Sequence, residues 1–102
     1  MQRFRVLIRP VEVEGENLFV AQCLEKNIVV RGETPDDAFA AFLERVVQFQ
    51  VLVSTHGAED PFSYLEQAPP DAWQAWDDAF KGQTTRLPVN GPIEIEPALA
   101  YA

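Results

Sequence analysis

One histidine, one cysteine and sixteen carboxylates are the groups of this chain that could do chemistry, and their spacing argues against most of it. Ser54 stands two residues before His56, which on a helix puts a would-be nucleophile and its base on different faces. His56 reads instead as a helix-terminal residue favoured by the helix dipole. Cys23 falls inside an apolar strand with no second cysteine, so a small buried hydrophobe is expected rather than a reactive thiol. A single Cys and a single His cannot build a zinc site of those ligands. A two-metal hydrolase would need acids converging from strand interiors. The carboxylates fall elsewhere: Glu12, Glu14 and Glu16 in a polar loop, Asp36 and Asp37 at one helix start, Asp77 and Asp78 late in another. Glycines at 15, 32, 57, 82 and 91 are never closer than nine residues, which excludes a phosphate-cradling loop. No catalytic, cofactor-binding or metal-binding residue is assigned.

The elements that must position these groups change character near residue 33. Phe4, Val6 and Ile8 alternate with Arg3, Arg5 and Arg9, a period of two that predicts a strand over residues 3–9, where Pro10 weakens the ladder and marks an edge or a strand end. A polar stretch from Glu12 to Asn17, with Gly15 free to take positive φ, predicts a hairpin into a second strand at residues 18–24. Glu25-Lys26-Asn27 turns into a third strand at residues 28–31. Thr34-Pro35-Asp36-Asp37 then supplies an N-cap, a proline at the first helical position and acids facing the dipole. Apolar Phe39, Phe42, Leu43, Val46, Phe49 and Val53 recur at helical spacing, so the helix is expected over residues 35–56 with Gly57 as its stop. Pro69-Pro70-Asp71 opens a short helix around 70–81, on which Trp73, Trp76 and Phe80 share one face. After a breaker at Asn90-Gly91-Pro92, Ile93-Glu94-Ile95-Glu96 alternates like a weak edge strand around 92–96, and residues 98–102 are expected to fray.

These 102 residues, 47% of them apolar, suit a single globular domain able to bury about two-thirds of its unfolded surface. No apolar run is long enough to cross a membrane. The lone cysteine and the absence of a leader pattern fit a cytoplasmic protein. Eight basic against sixteen acidic residues give a net charge of −8, and residues 52–102 hold eight acids but only Lys81 and Arg86 as cations. That field repels phosphate backbones and anionic lipid and attracts basic proteins, so neither nucleic acid nor membrane is an expected partner. Two features point outward. The arginine row occupies the strand face away from Phe4, Val6 and Ile8, a face that is either wet, covered by the tryptophan helix, or met by another subunit. The Trp73/Trp76/Phe80 face must be core or interface, because exposed aromatic patches are rare on monomers.

The stretch VAQCLEKNIVVRGETPDDAFAAFLERV, residues 20–46, preceded by the strand RFRVLIRP, resembles the HicB-like antitoxin family, whose signature joins an Ala-x-Cys-Leu-Glu strand end to a Gly-acid-Thr-Pro helix start. The resemblance covers residues 3–50. It implies a partial ribonuclease-H-like β-β-β-α-β fold without the nuclease's acids, and a partner of the HicA type, a small basic ribonuclease bound and occluded directly. Family members often add a DNA-binding C-terminal segment; here residues 57–102 lack a basic recognition helix, and Leu24-Glu25-Lys26-Asn27 replaces the usual Leu-Pro-Gly-Cys step. The expected fold is therefore α+β: a three-stranded antiparallel meander packed by one long helix (1–56), with an extension (57–102) returning a short helix and a weak fourth strand. The expected function is occlusion of a basic messenger-RNA-cleaving toxin through Glu12, Glu14 and Glu16. The alternatives are a solitary homo-oligomer assembled through Trp73, Trp76 and Phe80, and a metal-dependent hydrolase.

Overall fold

The computed structural model describes residues 2–56, 65–87 and 93–100. They form β1 (Gln2–Val13), β2 (Glu16–Cys23), β3 (Val29–Gly32), α1 (Pro35–His56), α2 (Pro70–Asp78), β4 (Phe80–Lys81), β5 (Thr85–Leu87) and β6 (Ile93–Leu99). The class is α+β: one six-stranded sheet in the order β3-β2-β1-β6-β4, with β5 also paired to β6, and a long helix packed on it. The expected helix stop at Gly57 and the breaker at residues 90–92 lie outside the described residues.

β1 does not stop at Pro10. It pairs with β2 from Val6↔Cys23 to Val13↔Glu16, and Glu14 (φ 52) with Gly15 (φ 83) make a two-residue turn with both central residues left-handed, the type that matches strand twist. What Pro10 does stop is the ladder on the other side of β1. Ala100 N–H donates to the Ile8 carbonyl at 2.8 Å, and a parallel ladder would next need an N–H from residue 10, which proline lacks. Among the described residues, the hairpin beyond Ile8 therefore runs on as a two-stranded arm.

The largest departure from the sequence reading is β6. It is not a weak edge strand around 92–96, and residues 98–100 are ordered along β1 rather than frayed, residues 101–102 lying outside the described residues. It runs parallel to β1 from Gln2↔Ile93 to Ile8↔Leu99, inside the sheet, with Ile93 and Ile95 buried. Pro97 is tolerated there because the strand's far edge changes partner at that point: β5 pairs as far as Ile95, β4 begins at Ala98, and Gly82 N–H reaches the Pro97 carbonyl at 2.7 Å in the gap. Residues 65–87 and 93–100 thus pack on and complete the same sheet.

α1 begins as its signals dictate, with Thr34 Oγ1 accepting the Asp37 N–H at 3.0 Å. Its Ala38, Phe42 and Val46 are fully buried over Phe4, Val6, Ile8, Ala21, Cys23 and Val30, with Ile93 and Ile95 alongside. Gly32 permits the close approach of β3 to this helix, since a Cβ there would stand 2.3 Å from the Ala38 nitrogen. The opposite sheet face carries α2. Trp76, Ala72, Ala68 and Ala79 pack on Leu7, Leu24 and Ala98 as a second, smaller core. Among the described residues, no helix is long and apolar enough to cross a membrane.

Candidate functional site

The two sheet faces account for the residues that the sequence singled out. On the α2 face the arginine row is fully engaged. Arg3 pairs with Glu96 at 2.9 Å across β1 and β6. Arg5 donates from its guanidinium to Glu25 Oε2 at 2.5 Å and from its backbone to Glu25 Oε1 at 2.7 Å, so this carboxylate continues the β1 ladder where β2 has ended. The same guanidinium lies 5.6 Å from the centre of the half-buried Trp73 ring. Arg9 donates to Gln22, which in turn holds Asn27. The row is structural stitching.

Trp73, Trp76 and Phe80 do not share a face. α2 ends at Asp78, and Ala79 is already extended, so the helical spacing that would align Phe80 with the tryptophans is lost. Trp76 is buried on its own sheet. Lys81 Nζ sits 4.9 Å from that ring's centre and bonds the Trp76 carbonyl, with the Ala79 carbonyl at 3.2 Å, capping the helix C-terminus. Phe80 lies in β4 opposite Leu99, on the α1 side of the sheet, and is 71% exposed beside Phe39 and Pro97.

The three hairpin glutamates are exposed but not gathered into one patch. Glu12 pairs with Asn17 and Glu16 with Val13, which by the alternation of strands puts Glu12 and Glu16 on opposite faces of the arm, with Glu14 at its tip. Asp36 and Asp37 at the start of α1, and Asp71, Asp77 and Asp78 of α2, are likewise exposed and make no ion pair among the described residues. No group of three or more His, Cys, Asp or Glu side chains among them is placed to hold a metal. The side chains of Ser54 and His56 lie outside the described residues. Cys23 is buried, and desolvation, with the Glu25 charge adding, pushes its thiol up to about 12 against the opposing pull of the Lys26 and Glu25 backbone N–H groups. Such a thiol is inert at neutral pH.

The cations show a second pattern, which sequence reading did not find. Five of the eight are engaged in the contacts above or in the Arg86–Glu94 pair at 2.9 Å. Among the described residues, the side chains of Lys26, Arg31 and Arg45 make no hydrogen bond or ion pair. Arg31 and Arg45 line a single groove of about 670 Å³ between the outer edge of β3 and α1, together with Glu44. The signal was present in the sequence only as an unremarked Glu44-Arg45 step on the helix. No protein-family model, curated protein or solved structure matches the chain, so the HicB-like resemblance rests on residues 3–50 alone.

Proposed function

We propose that this chain is a protein-binding module of the antitoxin kind, a cytoplasmic protein without catalysis that binds and occludes a small basic ribonuclease of the HicA type. The observation that carries the reading is the division of charge. The arginines of β1 are consumed internally, while the hairpin and helix-end carboxylates stand exposed and, among the described residues, unpaired on a chain of net charge −8. A basic partner is drawn to such a surface quickly and a wrong, acidic one is rejected. Cations that would otherwise hold messenger RNA would then be covered by carboxylates. Because Glu12 and Glu16 project to opposite faces of the arm, a partner that uses all three hairpin glutamates must cup its tip.

The test is capture of the tagged protein's partners from its native cells at low salt, with mass spectrometry of what is retained. A small basic protein lost as salt rises supports the reading. Recovery of the bait alone, from cells expressing it, removes the toxin and leaves the solitary homo-oligomer. With a partner in hand, the Glu12→Gln, Glu14→Gln, Glu16→Gln triple variant should associate more slowly at low salt, and an unchanged rate would exclude the arm as the contact.

A further inference from the structure

β3 forms one edge of the sheet, and its hydrogen-bonding pattern shows which groups that edge leaves open. Cys23 N–H donates to the Ile28 carbonyl, and strands alternate the direction of their backbone groups, so Val30 and Gly32 bond inward to β2 opposite Ala21 and Phe19. The N–H and C=O of Val29 and of Arg31 therefore point outward, with no strand beyond them among the described residues. Val29 is also 50% exposed, one of two large hydrophobics so placed among the described residues. An open edge of this kind is a template for another strand.

We infer that the strand it takes is β3 of a second copy of this chain, in an isologous antiparallel pair centred on Val30. This register meets three conditions at once. Val29 faces Arg31 of the second copy and Arg31 faces its Val29, so all four outward groups of each edge find partners. Side chains that meet share a face, since Val29 and Arg31 lie on one side of the sheet and Val30 meets its own counterpart on the other. The third constraint is the helix. α1 lies over β3, and the same groove that is lined by Val29, Val30 and Arg31 is lined by Ala41, Glu44 and Arg45. A twofold axis through Val30 sets the two α1 helices antiparallel and brings the groove-lining Glu44 and Arg45 of each copy toward those of the other. Glu44 of each copy then meets Arg45 of the other, and the pair forms twice. An isologous patch must be complementary to itself, and an acid beside a base on the helix that borders the edge is what that requires. The aliphatic stem of Arg31 covers Val29 of the second copy.

This association does not depend on a toxin, so it is tested on the purified protein alone by sedimentation velocity and light scattering over a concentration series. The expected result is a dimer. Glu44→Arg or Arg45→Glu alone should raise its dissociation constant by about tenfold or more, because each places like charges face to face twice, and the double reversal Glu44→Arg/Arg45→Glu should restore it. Both positions are exposed on α1, so the monomer's fold is not at stake. As a second probe, Arg31→Pro removes an outward donor without breaking a bond to β2, and should dissociate the dimer while far-ultraviolet circular dichroism stays native. A monomer at every concentration, or an assembly that the single reversals do not weaken or the swap does not restore, overturns the inference.

Discussion

Replacing Trp76 by alanine tests whether α2 belongs to the core or to an interface. The ring is 7% exposed and sits among Leu7, Leu24, Ala68, Ala72, Ala79 and Ala98. Four of these six neighbours are alanines, so most of its buried surroundings are too short to fill the space that it would leave. Truncating a buried aromatic at a site that cannot collapse costs about 3–5 kcal/mol, a large part of the roughly 5–15 kcal/mol expected for a domain of this size. Trp76→Ala also removes the ring under Lys81. By contrast Trp73, half-buried with Arg5 over it, should cost about 1–2 kcal/mol on the same change. Urea unfolding followed by far-ultraviolet circular dichroism measures both, since fluorescence would lose one of its two reporters. The mass in solution should not change, because the ring is turned onto its own sheet. A Trp76→Ala cost below about 1 kcal/mol, or a cost no larger than that of Trp73→Ala, would refute this reasoning, as would an assembly that dissociates in the variant while its fold survives.

Gly32→Ala should destabilise by about 1–3 kcal/mol, read as a lowered melting temperature, because the added Cβ meets helix backbone and not a movable side chain. Glu25→Ala should cost about 1.5–3 kcal/mol, since that carboxylate serves both the guanidinium and the backbone of Arg5, whereas Glu94→Ala, at a more exposed pair, should cost under about 1 kcal/mol; a urea series separates them. The Cys23 thiol stays protonated in the folded protein up to about 12 while the unfolded chain ionises near 9.0, so its contribution to stability is full below the lower value and is lost as pH rises between the two. Urea midpoints should therefore fall more steeply over that window for the wild type than for Cys23→Ala, and a thiol reagent at neutral pH should label Cys23 only after denaturation.

Local signals in this chain were readable where they acted locally. Thr34-Pro35-Asp36-Asp37 and the stripe that follows specify α1 from Pro35 to His56, and the capping bond at Thr34 is formed. The alternation of residues 3–9 marked β1 correctly as a strand, with Phe4, Val6 and Ile8 inward. The errors came from pairings that no local pattern encodes. Pro10 signals an edge or a strand end, and the structure makes it an edge, since it interrupts only the ladder facing β6. Pro97 made residues 93–96 look like a strand that ends, yet its missing N–H falls where no partner stands. The exposed look of Glu94 and Glu96 arose because their partners, Arg86 and Arg3, are eight and 93 residues away. As for the candidate site, the acids were visible, but their division between the faces of the arm needed the hairpin register. The β3 groove needed the fold itself, since Arg31 and Arg45 gain meaning only by what they fail to pair with.

The parallel pairing of β1 with β6 also sets an order of events during synthesis. β1, β2, β3 and α1 can assemble as soon as residue 56 is available, but the inner edge of β1 stays unsealed until residues 93–99 emerge. At a ribosomal pace of about 5–20 residues per second, the nascent chain carries that open apolar edge for seconds, longer than most elementary folding steps. The arginines at 3, 5 and 9 spaced along it act in that interval as gatekeepers against other chains. A chain truncated before Ile93 would keep the edge for good, and would be recovered in the insoluble fraction even though its first three strands and long helix were intact.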